Sequence, residues 1–351
     1  MPTRYHRKNN GYINRPHQGG KNPPTGTDAD LNLATMAGLF SDENKAREFL
    51  EAKRWPDGPH CPHCGEHEPY KLEPKATSKR PVRPGVYKCR GCRKQFTVRI
   101  GTIFEESKIP LRKWLMAIHL MTSSKKGVSS HQIAREVGVT QKTAWFLCHR
   151  IREAMREEPL SSMIDVDSSC KLSGIIEADE TYVGGKPRYK GKGTRGRPGE
   201  NSNKKPLLVL IERDGRAVAK PVDNVSSKEL QTEFDKYVDK GSSRLMTDEW
   251  PSYRPIGKEF ASHEVVKHLG KEFARGDVHC NSAESFFALL KRGHYGIFHQ
   301  LSKEHLHRYC NEFSFRWSHR KISDGERMVK AIEGAEGKRL MLNAPKRDSD
   351  G

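Results

Sequence analysis

Two groups of side chains in this chain have the types and spacing to hold metal ions. The first is four cysteines in two close pairs, Cys61-Pro62-His63-Cys64 and Cys89-Arg90-Gly91-Cys92. Each pair places two thiolates on one tight knuckle, and four thiolates complete the tetrahedral shell of one structural zinc ion. The 24 residues between the pairs slightly exceed the usual interval and leave room for a longer ribbon hairpin. His60, His63 and His67 are alternative ligands that four sulfurs make unnecessary. Zinc is expected to supply much of the folding energy of so short a segment. The other cysteines, Cys148, Cys170, Cys280 and Cys310, are scattered and read as packing residues.

The second group is acidic. Asp179 lies in the run Ile175-Ile176-Glu177-Ala178-Asp179-Glu180, Asp248 closes Leu245-Met246-Thr247, and Glu284 sits in the first turns of a helix from Asn281. Phosphodiester chemistry with two divalent metals needs carboxylates converging from separate elements, one of them bridging both ions. Aspartates on adjacent strands and a glutamate from a packed helix meet that need, although acids at strand ends are common in any α/β protein. Helical spacing aligns Asn281, Glu284, Ala288 and Lys291 on one face and leaves Phe286, Leu289 and Leu290 to anchor the helix. An amide, a carboxylate and an ammonium in line suit a metal-bound phosphodiester. Lys291 and Arg292 equally suit a solvated helix C-terminus.

The elements that must carry these groups can be read from periodicity. Phe40 to Trp55 is helical, with Ala46, Phe49 and Leu50 on one face. Pro110 opens a helix with Trp114, Leu115, Ile118 and Met121 at three- and four-residue spacing. Helices from Ser130 to Val137 and from Gln141 to about Met155 flank the turn Gly138-Val139-Thr140. Read as a helix-turn-helix, Ile133, Ala134 and Val137 face Ala144, Leu147 and Ile151. Gln141, Lys142 and Thr143 then start the second helix, where a major-groove reader presents its side chains, and His149, Arg150 and Arg152 could meet phosphates. An ordinary helical hairpin would show the same pattern.

From Gly174 the pattern turns to strands. Gly174–Tyr182 comes first, then Pro206–Glu212 and Arg216–Val222 around an Asp214-Gly215 turn. Ser226 and Glu229 cap a helix, Arg244–Thr247 and His263–His268 read as strands, and helices Asn281–Arg292 and Lys303–Phe315 follow. This order predicts an α/β layer fold with a mixed sheet. The expected organisation is a flexible basic arm (1–39), a lead helix (40–57), a zinc ribbon (58–104), a helical region (109–157), a catalytic α/β domain (174–321) and a polar tail (322–351).

The formal charge of the 351 residues is +19, from 63 Lys and Arg against 44 Asp and Glu. Such a surplus calls for an acidic polymer as partner. No stretch approaches the roughly 18 apolar residues of a spanning helix, and Met1–Gly26 lacks the apolar centre of a secretory signal. Nucleic acid is therefore the expected partner, with no membrane and a cytoplasmic, reducing setting. Lys186–Lys205 holds eight basic residues and one acid among many glycines; it is expected to be disordered when free. Lys190, Lys192, Arg195 and Arg197 there would clamp DNA, or the segment serves solubility alone.

The combination CPHCG, YKCRGCRKQFTVRIGTIF, IIEADETYVGGK, LMTDEW, HCNSAESFFALLKRGHYGIFH and HLHRYCNEFSFRWSHR resembles insertion-sequence transposases that pair a zinc ribbon with a DDE domain, relatives of the Merlin elements. The matching stretches run from about Trp55 to Arg320. The resemblance implies an RNase H-like core using two Mg²⁺ ions, with Mn²⁺ as a substitute, to cut double-stranded DNA at element ends and join the 3′-hydroxyl to a target. Asp179 and Asp248 match the first two acids, Glu284 the third, and Lys291 their basic companion. Some members carry asparagine as the third residue, and Asn281 stands in the same helical turn; Glu284 is favoured because a charged oxygen holds Mg²⁺ better. A working complex of at least two subunits is expected by analogy. Two other readings stay open: a zinc-dependent DNA-binding regulator with an inactive second half, and a nuclease that cuts without joining.

Overall fold

The computed structural model describes residues 27–73, 81–157, 171–184, 204–267, 270, 272 and 274–342. Asp42 caps the first long helix by accepting from the Asn44 and Lys45 amides, so a short α1 (Ala37–Ser41) is followed at once by α2 (Glu43–Arg54). A small antiparallel ribbon, β1 (Tyr70–Lys71), β2 (Tyr87–Lys88) and β3 (Gln95–Phe96), comes next. Trp55 at the end of α2 packs edge-on against Tyr87 and Phe96 of the ribbon, at 5.4 and 6.1 Å between ring centroids. The ribbon therefore has apolar surface to bury against its neighbour, more than its length alone promises.

Helices α3 (Leu111–Ser123), α4 (Ser130–Val137) and α5 (Gln141–Ala154) build the remainder of this half. Ser129 caps α4 and Thr140 caps α5. Between them Gly138 takes the left-handed conformation, φ +66°, that glycine adopts without penalty and that ends a helix sharply. Ile133 and Val137 of α4 meet Ala144, Leu147 and Ile151 of α5 in one buried cluster with Trp114, Leu115 and Ile118 of α3.

The second half is a five-stranded mixed sheet. Strands β4 (Ile175–Val183), β5 (Lys205–Glu212) and β6 (Ala217–Pro221) run antiparallel, while β7 (Arg244–Asp248) and β8 (Ser262–Val266) add in parallel on the other side of β4, giving the order β6-β5-β4-β7-β8. At the hairpin between β5 and β6 it is Asp214, not Gly215, that takes positive φ, +61°. One face of the sheet packs α6 (Ser227–Tyr237) and α7 (Tyr253–Gly257) through Leu230, Phe234, Tyr253 and Ile256 against Ile176, Ala178, Leu208 and Leu210. The opposite face packs α8 (Asn281–Gly293) and α9 (Leu306–Ser318) through Phe286, Leu290, Cys310 and Phe313 against Leu207, Val209 and Ile211.

Two expectations about the ends need correction. The segment from 322 is not a loose polar tail as far as it is described. It forms α10 (Asp324–Glu333), whose Met328, Val329, Ala331 and Ile332 are buried in the first-half core. Nor is all of 1–39 a flexible arm, because Leu31 packs on the first core and Met36 and Leu39 are buried in it. Four apolar residues at helical spacing suffice to dock a segment of polar average composition.

Candidate active site

Strand alternation decides which side chains of β4 share a face. Ile176 and Ala178 are buried on the α6 side, so Glu177 and Asp179 project toward α8. β4 and β7 pair in parallel with Ile175, Ile176 and Glu177 opposite Arg244, Leu245 and Met246. Two residues further along each strand, Asp179 and Asp248 arrive at the same level on neighbouring strands. Across that face lies α8, with Asn281, Glu284, Ala288 and Lys291 on its exposed side and Phe286 and Leu290 buried.

The electrostatics report the same convergence. Burial pushes the Asp179 carboxyl up to about 7, against the Glu180 amide bonded to it; the charges of Asp248 and Glu284 add to the rise and Lys291 opposes it. The neighbouring Cys280 thiol is raised by burial and then by Asp179, Glu177, Asp248 and Glu284. Asp248 Oδ1 accepts from the Trp250 amide at 3.0 Å, and Asp179 Oδ1 from the Glu180 amide at 2.7 Å.

These acids are hard oxygen donors of the kind Mg²⁺ and Mn²⁺ take. They do not draw as close together as the cysteines do. Two ions about 3.5–4 Å apart, each about 2.1 Å from its oxygens, reach donors separated by up to roughly 8 Å, so a dinuclear site fits a wider spacing.

Two acids passed over in the sequence stand beside these. Glu180 points to the other face, where the Tyr253 hydroxyl donates to it; burial pushes its carboxyl up to about 7, with Asp248 and Asp179 adding to the rise. Glu177 is fully buried, 0% exposed, and binds the start of α8. Its signal was available: it shares the strand face of Asp179. The far end of α8 is fixed by close packing, since a Cβ on Gly293 would lie 2.7 Å from the Lys126 carbonyl oxygen.

The four cysteines do gather. Their sulfurs all lie within 4.8 Å of one another, with Cys61–Cys92 and Cys64–Cys89 at 3.6 Å. Tetrahedral zinc with bonds near 2.3 Å places its sulfurs about 3.8 Å apart, so this shell fits zinc. His60 and His67 pair with each other across a β-bridge instead of joining it. Cys148, Cys280 and Cys310 are buried, as expected of packing residues; Cys170 lies outside the described residues.

The expected DNA contacts divide. Gln141 and Lys142 are exposed and Thr143 half-exposed at the start of α5. Arg150 and Arg152 are not on that surface, which corrects the sequence reading. Arg150 donates to the Glu105 carbonyl at 2.6 Å and lies over the Trp114 ring. Arg152, 2% exposed, donates to Glu312 of α9 at 2.6 Å and stacks on Tyr309. Both sit on the α5 face that other elements cover, which helical periodicity within α5 alone does not reveal. Lys190, Lys192, Arg195 and Arg197 lie outside the described residues.

Comparison with known proteins adds the family. Residues 41–95 match the transposase zinc-ribbon domain and residues 171–318 the ISXO2-like transposase domain. The first match takes in all four paired cysteines and the second Asp179, Asp248, Glu284 and Lys291, while α4 and α5 lie between them. A Halobacterium salinarum protein described as an uncharacterized protein in transposable element ISH50 is 28% identical over 292 residues, 79% of this chain and 91% of that protein. Among solved structures, a pre-cleavage Mos1 transpososome (17% identity, 61% of this chain and 75% of that chain, TM-score 0.24) and the Mos1 strand transfer complex (16%, 62% and 73%, TM-score 0.27) superpose too loosely to bear on fold or chemistry. With a transposase zinc ribbon and a transposase domain in the same order as the two metal-binding groups, this chain belongs to the insertion-sequence transposases that carry an N-terminal zinc ribbon.

Proposed function

We propose that the chain is a transposase that binds the ends of its element and cuts and joins DNA at a centre formed by Asp179, Asp248 and Glu284, in an RNase H-like domain spanning about 174–321. The observation that supports this reading is the parallel register of β4 and β7, which pairs Glu177 with Met246, two residues before Asp179 and Asp248, on the sheet face that packs α8. Divalent ions held there would activate the attacking oxygen and stabilise the leaving one. Glu284 is the preferred third ligand, because a charged oxygen holds Mg²⁺ better than the amide oxygen of Asn281, which stands in the same helical turn. Lys291, whose charge also reaches Asp179, would meet the scissile phosphate.

The zinc ribbon and the helix-turn-helix of α4 and α5 would hold the element end. Gln141, Lys142 and Thr143 would face the groove, and Lys190, Lys192, Arg195 and Arg197, outside the described residues, would contact the DNA backbone. Two copies would bring two ends together, and the DNA substrate sets the cytoplasm as the place of action. Among the described residues no helix is long and apolar enough to cross a membrane.

The test uses full-length, zinc-loaded protein with DNA carrying the element's terminal repeats. Mg²⁺-dependent 3′-hydroxyl ends followed by products joined to a target support the proposal. Cleavage without joined products would make the protein a nuclease, and end binding with no cleavage would make it a regulator.

A further inference from the structure

The start of α8 is not capped by its own N-cap residue. Cys280, at the N-cap position, gives no side-chain hydrogen bond to the helix. The carboxylate of Glu177 on β4 does that work from across the sheet. It accepts from the Ser282 amide at 2.7 Å, the Ser282 hydroxyl at 3.0 Å and the Ala283 amide at 3.3 Å. A negative charge is favoured there by the unpaired amides and the positive end of the helix dipole. On its other side Glu177 accepts from Arg213 Nε at 2.8 Å. Arg213 also donates to the carbonyls of Asp277 and His279 at 2.8 and 3.1 Å, and its guanidinium reaches Met246 Sδ of β7 at 3.5 Å.

One ion pair, with Glu177 fully buried and Arg213 half-buried, thus touches every element that carries a candidate ligand: β4 two residues before Asp179, β7 two residues before Asp248, and α8 two residues before Glu284. We propose that Glu177, held by Arg213, is a positioning residue that sets α8 against the sheet and so fixes the distance from the third ligand to the two aspartates. This rests on the reading of Asp179, Asp248 and Glu284 as the metal centre. Hydrogen-bond partners behind metal ligands tune metal affinity by about ten- to a hundredfold. Glutamine at 177 keeps the shape, but its amide group turns a donor toward Arg213 or the helix amides.

The experiment is a Mn²⁺ titration of full-length, zinc-loaded protein, read by the free-ion electron paramagnetic resonance signal and, in parallel, by cleavage of end DNA. Glu177→Gln is expected to raise the Mn²⁺ half-saturation at least tenfold in both readouts, with end binding unchanged and cleavage largely restored by excess Mn²⁺. Ser282→Ala, which removes one donor and leaves both amides, is expected to raise it by about fivefold, the equivalent of one hydrogen bond, and serves if the first variant does not fold. A role confined to stability would lower the unfolding temperature and leave half-saturation where it was; that result in both variants overturns the proposal. Asp179→Asn separates the two levels. If it loses Mn²⁺ while the 177 and 282 variants bind as the parent does, only the positioning role falls. If it binds Mn²⁺ like the parent, the metal centre itself is misassigned and the proposal falls with it.

Discussion

Cys61, Cys64, Cys89 and Cys92 come from two turns of one small ribbon, whereas Asp179, Asp248 and Glu284 come from two strands and a helix brought together by the order of a sheet. The thiolate donors already stand at the spacing zinc needs. Among the described residues no three carboxylates gather as closely as these sulfurs, and burial first, then the charges of Asp248 and Glu284, push the Asp179 carboxyl up to about 7. A closed shell suits an ion that shapes the chain, and an open one suits ions that must leave room for a substrate. The two centres should therefore fail differently when broken.

The largest effect is expected at the open centre. On the proposed assignment, Asp179→Asn or Asp248→Asn would remove a ligand from ions that supply several kcal/mol of transition-state stabilisation, so DNA cleavage should fall by on the order of a thousandfold or more. End binding measured by gel shift should persist. Cleavage within tenfold of the parent in either variant would reject the assignment.

At the closed centre the loss should be one of structure. Cys64→Ser removes a zinc ligand, and structural zinc contributes on the order of 10 kcal/mol to isolated ribbons; here the aromatic contacts of Trp55 with Tyr87 and Phe96 retain part of the ribbon's packing. Zinc content should drop and end binding with it, while Mn²⁺ binding at the carboxylates stays within about twofold. If carboxylate metal binding falls as far as end binding, the centres are not separate.

The same contrast explains what could be read from the chain. The zinc shell was legible because its ligands lie in two local motifs whose spacing alone implies geometry. Helices α4 and α5 were legible because Ser129, Gly138 and Thr140 mark their ends by local backbone chemistry. Asp179, Asp248 and Glu284 could be singled out as acids at the ends of elements, but their meeting depends on β7 pairing in parallel with β4, a fact of topology. Glu177 was missed because a carboxylate inside an apolar strand argues against burial unless its partners, Arg213 and the α8 amides, are known. Arg150 and Arg152 misled for the reverse reason: basic residues on a helix read as surface until α9 supplies Glu312 to cover one of them.

The Arg152–Glu312 pair joins the two halves of the molecule. Glu312, fully buried, accepts from Arg152 of α5 and is paired with Arg316 of its own helix. Burial works against its charge, and the two guanidinium groups outweigh it and hold the carboxyl below its usual range. Glu312→Ala leaves two buried cations without their anion, and breaking such a pair costs about 3–5 kcal/mol. Chemical denaturation should show that loss, with zinc content unchanged if the ribbon stands apart from the seam. A change below 1 kcal/mol would mean that the packing of α5 on α9, not the ion pair, holds the halves together.

The smallest effect lies in the same seam and depends on pH. His149 of α5 is 0% exposed, 4.3 Å from Trp145 and 4.9 Å from His305 between ring centroids. Neither ring nitrogen has a hydrogen-bond partner among the described residues. Burial first, then the charges of Arg152 and Arg308, push its pKa down to about 2. In the unfolded chain the same ring takes a proton near the usual 6.5, so the folded state binds fewer protons below that pH. Stability from this group is therefore whole above about 6.5 and declines as pH falls toward 2, by about 1.4 kcal/mol per pH unit. His149→Phe keeps an aromatic ring without the proton, and between pH 7.5 and 5 it should lose about 2 kcal/mol less than the parent. His119, His305, His307 and His319, all held below the ordinary histidine range, leave a residual slope in both proteins. Parallel curves for parent and variant would show that His149 takes up its proton without opening the seam.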